Sequence, residues 1–376
     1  MDLSQEIKAY GQKIDLAEVK ITTADDLTAV EEFLAERKEK GQLSKFLKAD
    51  LDLITSPRQV MPEAKSVIVV AISYYHEVKA QKGNLSGRLS QFAQGEDYHQ
   101  VLEAKLAELA EFIKELKPEV KTYSFVDTGP TVDRALARKA GLGWQGKNCS
   151  IIHPDYGSWI FLGGLITNLD LAFDEPREDK CGSCTRCLDS CPTGALEKPR
   201  TLNAEKCLGQ ITLTKGYLTV KQRKKIGGRV WGCDTCQNVC PYNQEIKEST
   251  HPQFKADNLG AYPDLIPLLK LTNNEFREKF SSTVMNWRGK RPLKRNAAII
   301  LGNQKAKEAL PALISTLRED PQAIVRGHAA WAIGEIGGAK AEVALEKALS
   351  KENDAKVERE IRKSLERLKR KIGKQK

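Results

Sequence analysis

The chain has 376 residues, a net charge of +10 and a pI of about 9.0, which allows two or three domains and suits a polyanionic partner. No apolar run is long enough to span a bilayer, and the opening MDLSQEIKAY is charged and lacks a secretory core. A soluble protein of a reducing, cytoplasmic compartment is expected, which excludes a membrane partner and a disulfide scaffold.

Residues 1 to about 60 read as helical. DDLTAVEEFLAERKEKG carries apolar side chains at helical spacing, with Asp25 and Asp26 at its front and Gly41 behind. Lys65 to Tyr75, KSVIVVAISYY, is a β-branched run that predicts a buried strand. Asp97 to Leu116 predicts a second helix, and Tyr123 to Asp127 a short strand ending at the turn Thr128-Gly129-Pro130. Thr131 to Lys139 predicts a helix entered through that turn, and Trp159 to Ile166 another strand, interrupted by Gly163 and Gly164. Strands alternating with helices make residues 1–170 an α/β domain.

The transition from Val126 to Arg134 is of the strand–turn–helix kind on which open α/β sheets often place functional side chains. Asp133 falls in the first helical turn. Spacing alone favours a structural carboxylate that meets orphan backbone N–H groups. The functional alternative is a general acid whose pKa is raised by burial. GLGWQGKN (141–148) and HPDYGSW (153–159) read as loops that let backbone approach a flat ligand, or as turns with incidental aromatics. Neither GxGxxG nor GxxxxGK[ST] occurs, so no motif supports nicotinamide binding or nucleotide hydrolysis.

Eight of the nine cysteines then form two interleaved sets over residues 171–248. Cys181, Cys184, Cys187 and Cys191 follow the x2, x2, x3 spacing and end at Pro192. Cys233, Cys236 and Cys240 end at Pro241, with Cys207 upstream. Such runs put three thiolates around one face of a cubane and send the fourth, before Pro, to the other cluster. One [4Fe–4S] cluster therefore takes Cys181, Cys184, Cys187 and Cys240, and the second takes Cys191, Cys207, Cys233 and Cys236. A four-cysteine zinc ribbon would leave half of the pattern without purpose. Cys149 stands outside both sets and reads as a small packed side chain.

Residues 249–376 open with a Pro-containing connector, His251 to Pro267, and then repeat. RNAAIILGN begins at Arg295 and RGHAAWAIGEIG at Arg326, and Gly302 and Gly334 hold matching places. Pro311 and Pro321 lie near helix starts. Two-helix HEAT-like units are predicted, against the alternative of a small helical bundle. Basic runs occur at Lys221, Arg223, Lys224 and Lys225, and at Arg288, Lys290, Arg291, Lys294 and Arg295. The tail from Lys351 to Lys376 has 11 Lys and Arg against 5 Asp and Glu. Each run by itself reads as a solvated face; three of them beside a redox segment suggest nucleic acid.

AKSVIVVAISYY, GEDYH, VDTGPTVDRALARKAGLGWQGKN, the YGSW loop, the first cysteine run and WGCDTCQNVCPYN together resemble the epoxyqueuosine reductases, over nearly the whole chain. The resemblance implies a cobalamin-binding α/β domain like that of reductive dehalogenases, a two-cluster ferredoxin-like domain and a HEAT-like domain that binds tRNA. It implies reduction of epoxyqueuosine to queuosine at the wobble position of tRNA, with two electrons and two protons entering and one water leaving. The family's aspartate proton donor matches Asp133. Arg58, Tyr98, Asn148, His153, Gly157 and Ser158, with Asp133, are the implied cofactor contacts, and Lys221, Arg223, Lys224, Lys225, Arg291, Lys294 and Arg295 the expected tRNA contacts. The D-x-H-x-x-G pattern that supplies a lower histidine ligand fails at Asp97-Tyr98-His99, because Leu102 stands in the glycine place. A base-off cofactor without a protein histidine is thus implied. A low-potential donor of flavodoxin or ferredoxin type and a monomeric state are expected. Two rivals stand beside this reading: a cobalamin reductase of a small molecule, which would need neither repeats nor positive charge, and a non-catalytic ferredoxin-like carrier, which would not need the preceding 170 or so residues.

Overall fold

The structure, a computed structural model, describes residues 2–78, 83–256 and 259–373, with side chains to residue 370. Its chain divides into two units, each assembled from separate segments. The first comprises Met1–Glu77, Glu96–Cys207 and Asp234–Lys255, and the second Val78–Gly95, Leu208–Cys233 and Ala256–Lys376.

A four-stranded sheet forms the centre of the first unit: β1 (Glu18–Thr23), β2 (Ser66–Ser73), β3 (Thr122–Val126) and β4 (Ile160–Thr167), in the order β1-β2-β4-β3. Every neighbouring pair is antiparallel, with Glu18 opposite Ala71, Ser66 opposite Thr167, and Thr122 opposite Thr167. All eight residues of β2 are buried, as its continuous Val/Ile run requires of a central strand. The helices α1 (Leu3–Lys13), α2 (Tyr98–Leu116) and α3 (Asp133–Lys139) pack on the sheet. Leu102, Leu106, Leu109 and Ile113 form the buried stripe of α2 at 3–4 residue spacing. Asp97 caps that helix by accepting the His99 N–H.

Two expectations change here. Residues 1 to 60 are not all helical, because EVKITT forms the edge strand β1 between two helices. Gly163 and Gly164 do not interrupt β4, which runs through both. A Cβ on Gly164 would come within 2.2 Å of the Ile68 carbonyl oxygen and 2.7 Å of the Phe125 ring. The glycines let the neighbouring backbone and an aromatic ring close on the strand.

In the second unit five helices follow one another: α4 (Lys290–Gln304), α5 (Leu310–Glu319), α6 (Ala323–Ile336), α7 (Ala339–Leu349) and α8 (Ala355–Gly373). The repeat glycines mark close helix crossings. Gly302 lies against Ala332, and Gly334 against Ser364, each thirty residues further along. Trp331 is fully buried. Among the described residues no helix is long and apolar enough to cross a membrane.

Candidate active site and cluster motifs

Asp133 begins α3, immediately after the turn that leaves β3. Its Oδ2 accepts the Asp127 backbone N–H at 2.8 Å and its Oδ1 the Thr131 hydroxyl at 2.5 Å. Asp127 can present that N–H because it takes a left-handed conformation, φ 45°, which Asp tolerates better than most residues. Burial pushes the Asp133 carboxyl up to about 6; the Thr131 hydroxyl opposes the shift and the Asp127 charge adds to it. A carboxyl there exchanges its proton near neutral pH, as a general acid must.

Tyr98 and His99 reach the same turn from the start of α2. The Tyr98 hydroxyl donates to Asp127 Oδ2 at 2.8 Å, and His99 Nε2 lies 3.6 Å from that oxygen. His99 Nδ1 is 2.7 Å from Asp97. Burial works against the imidazolium, but Asp127 and Asp97 outweigh it and raise His99 to about 9. Tyr98 stacks on Phe161 of β4 at 4.0 Å between centroids. His99 and Asp127 were not among the residues expected from sequence to act here. The only signal was the Asp-x-His of a helix cap, which carries no sign that Tyr98 meets a partner 29 residues on.

The other expected cofactor contacts disperse. Asn148 is buried; its Oδ1 accepts the Ser150 N–H, while its Nδ2 has no hydrogen-bond partner among the described residues. Arg58 is exposed and donates to Asp25 and to the Ala64 carbonyl. His153 is buried against Glu18, with Nε2 at 2.9 Å, and its Nδ1 accepts the Asp155 N–H. Ser158 Oγ accepts from Asn243 and Gln237, and the Ser158 N–H donates to Asn243 Oδ1 at 2.7 Å. Gly157 takes φ 56°, and a Cβ there would strike Asn243. The polar side-chain atoms of His153 and Ser158 are thus turned inward: His153 joins its loop to β1 through Glu18, and Ser158 holds the loop after Cys240 through Asn243.

None of the nine cysteines is bridged. Cys181, Cys184, Cys187 and Cys240 lie in the first unit and feel one another electrostatically. Burial, with the neighbouring Cys240 and Cys181, pushes the Cys187 thiol up to about 11, and burial with Cys181 and Cys184 raises Cys240. Four thiolates so placed repel one another, so a cationic iron–sulfide core suits them. Among the described residues no three His, Cys, Asp or Glu side chains converge as on a single ion; a cubane takes its thiolates at separate irons and needs a wider set. Cys240 also packs with Trp144, Ile152 and Cys181, and Lys147 donates to the Gly182 and Cys184 carbonyls at 2.6 and 2.9 Å. Burial disfavours the Cys191 thiolate, yet N–H groups of Leu196, Thr193 and Ala195 lower its pKa. Cys191, Cys207 and Cys236 belong to the first unit, and Cys233 ends a segment of the second. Cys149, as expected of a packed side chain, is buried.

The basic residues separate by burial. Lys221, Lys225 and Arg291 are exposed. Arg223 is buried and pairs with Glu360 at 2.8 Å, and Lys294 is buried and pairs with Asp320 at 2.5 Å. Arg295 is fully buried, donating to the carbonyls of Ile211, Thr212, Thr214 and Gly216. These three are not available to phosphate, because each cation is already neutralised or hydrogen-bonded inside the unit. Lys224 is exposed but paired with Glu335.

Comparison with known proteins adds three family matches. Residues 55–128 match the model described as Epoxyqueuosine reductase QueG, DUF1730, residues 180–243 a 4Fe-4S double cluster binding domain, and residues 288–366 HEAT repeats. The epoxyqueuosine reductase of Bacillus subtilis (strain 168) is 43% identical over 371 residues, covering 98% of this chain and 96% of that one. That of Listeria monocytogenes is 40% identical over 363 residues, 96% of each. A crystal structure of epoxyqueuosine reductase with a tRNA-Tyr epoxyqueuosine-modified stem loop superposes with TM-score 0.95 at 42% identity, covering 98% of this chain and 99% of that one. A Bacillus subtilis structure with its catalytic aspartate loop swung out of the active site gives 0.94 at 41% identity, covering 97% and 99%.

Proposed function

The chain belongs to the epoxyqueuosine reductase family of oxidoreductases, and from that premise we propose that it reduces the epoxide of epoxyqueuosine in a tRNA anticodon to the alkene of queuosine. The observation that carries this reading is the full-length likeness to a protein solved with an epoxyqueuosine-modified tRNA stem loop. Residues 1–170 bind the cofactor, residues 171–248 carry both clusters, and residues 249–376 contribute to holding the tRNA.

Asp133 is the proton donor to the opening epoxide oxygen, a role supported by its carboxyl value of about 6 and its fixed hydrogen bonds. Protonation spares the pocket a bare alkoxide in low dielectric, help worth ~10²–10⁴ in rate. Cobalamin, when bound, supplies the low-potential two-electron chemistry that no side chain offers. The residues present fit it. Asn148 Nδ2 is a buried amide donor without a partner, suited to the carbonyls on a corrin rim, and Tyr98 offers a ring beside Asp133. A base-off cofactor without a protein histidine rests on the failed D-x-H-x-x-G pattern, in which Leu102 stands in the glycine place. Single electrons arrive from a low-potential flavodoxin- or ferredoxin-type donor through the clusters of Cys181, Cys184, Cys187 and Cys240 and of Cys191, Cys207, Cys233 and Cys236. Exposed Lys221, Lys225 and Arg291 contribute phosphate contacts, and an unpaired anticodon loop lets one base splay into the pocket.

The test is anaerobic reconstitution with iron, sulfide and cobalamin, an absorption spectrum, and nucleoside analysis of treated tRNA. Conversion of epoxyqueuosine to queuosine is expected. A corrin-loaded, cluster-loaded protein that leaves the epoxide intact defeats the reading.

A further inference from the structure

The reduction proposed above consumes two protons, one for each bond broken at the epoxide oxygen, and Asp133 accounts for only one of them. We propose that the His99–Asp127 pair supplies the second, an inference that rests on that function. Asp127 is the hinge of the arrangement. Its backbone N–H holds Asp133, while its exposed carboxylate meets Tyr98 and His99. The two acids therefore share one turn and lie within reach of one substrate oxygen. His99 stands at the N-terminal end of α2, where a helix disfavours a cation; its Nδ1 is hydrogen-bonded to Asp97 at 2.7 Å, and the Asp127 carboxylate lies 3.6 Å from its Nε2 as a charge partner. Geometry of this kind fixes an imidazolium, a proton store, behind an open carboxylate. Asp97 and Asp127 face the imidazole and the Tyr98 ring stacks on it; Asp133 of α3 acts on Tyr98, Arg134 of α3 acts on Asp127, and Phe161 of β4 stacks on Tyr98.

The step balances. Asp133 gives its proton to the epoxide oxygen as the first carbon–oxygen bond breaks. Asp127 takes the proton of His99 Nε2 and passes it to the resulting hydroxyl as the second bond breaks. Two electrons from the external low-potential protein donor complete the alkene, and water departs. His99 is left neutral and Asp133 ionised, and both reload from solvent. Asp127 touches the reacting oxygen; His99 acts through it.

Single-turnover rates of the reconstituted full chain on epoxyqueuosine tRNA, followed against pH, separate the two acids. Wild type is expected to break near 6, from Asp133, and again near 9, from His99. Asp133→Asn loses the lower break. His99→Gln loses the upper one and runs roughly 10²-fold slower at neutral pH. Asp97→Asn, which keeps the imidazole and removes one of its two carboxylates, moves the upper break downward, a shift that a merely structural role for His99 would not produce. NMR titration of the His99 ring in the full chain without corrin gives a second readout: a midpoint near 9 in wild type, lower in Asp97→Asn. An upper break retained in His99→Gln, or a His99 midpoint at the ordinary value of about 6.5, overturns the inference. No conversion by wild type at any pH overturns the underlying function instead.

Discussion

Asp133 holds its proton because the fold buries the carboxyl and sets Asp127 beside it, and both effects have consequences for stability. With its folded pKa near 6 and an unfolded value of about 3.9, the folded chain binds more protons than the unfolded one between those values. Stability therefore falls as pH rises from about 4 to about 6. Asp133→Asn should flatten that slope in thermal denaturation while lowering turnover by ~10²–10⁴ and leaving the corrin absorption in place. Turnover equal to wild type would remove Asp133 from the chemistry. His99 has a dependence of the same sign in a higher pH window. Its contribution is complete below about 6.5 and is lost as pH rises through about 9, so His99→Gln should be less stable than wild type at pH 6 and approach it at pH 10. Asp133 was legible in sequence as an acid opening a helix after a strand, but its raised pKa was not, because that depends on neighbours brought in by the fold. Lys294 and Arg295 illustrate the converse. Their charges read as surface, yet they sit on a helix buried from Pro292 to Gly302, which a local run of charge does not reveal.

Among the elements, the loop following the second cysteine run depends on one side chain. Asn243 binds the Ser158 N–H, the Ser158 hydroxyl and the Gln237 carbonyl at 2.7 to 2.8 Å. Asn243→Ala leaves the Ser158 N–H without its acceptor, at about 1–3 kcal/mol, while the Ser158 hydroxyl keeps Gln237 and the Gln237 carbonyl keeps the Cys240 N–H. Iron should be lost faster to a chelator, and a wild-type rate of loss would show that the loop is held by other means. At Gly164 even Ala would collide with the Ile68 carbonyl, so Gly164→Ala should lower the melting temperature by several degrees. Strands β2 and β4 were legible because their apolar runs are long and β-branched. Strand β1 was missed because six residues of mixed polarity between helices carry no such signal, and its identity comes only from pairing with β2.

For the whole molecule, an excess of positive charge predicts salt-sensitive tRNA binding. Replacing Lys221, Lys225 or Arg291 with Gln should each weaken binding and reduce the slope of log affinity against log salt by about 1. Arg295→Met should instead destabilise the fold, since four carbonyls lose their donor. A slope unchanged in the triple variant would remove these residues from the interface. Composition and cysteine spacing made the redox and helical-repeat segments legible, but the interleaving of the units was not, because chain order says nothing of which distant segments rejoin.

That interleaving bears on synthesis at the ribosome. Arg88–Leu89 must pair in parallel with Arg229–Trp231, and a nascent chain growing at ~5–20 residues per second leaves the earlier strand waiting roughly 7 to 28 seconds for its mate. During that interval the exposed edge is a natural client for a chaperone. Slowing translation just upstream of residue 229 should therefore lower the yield of soluble protein more than an equal pause placed after residue 260.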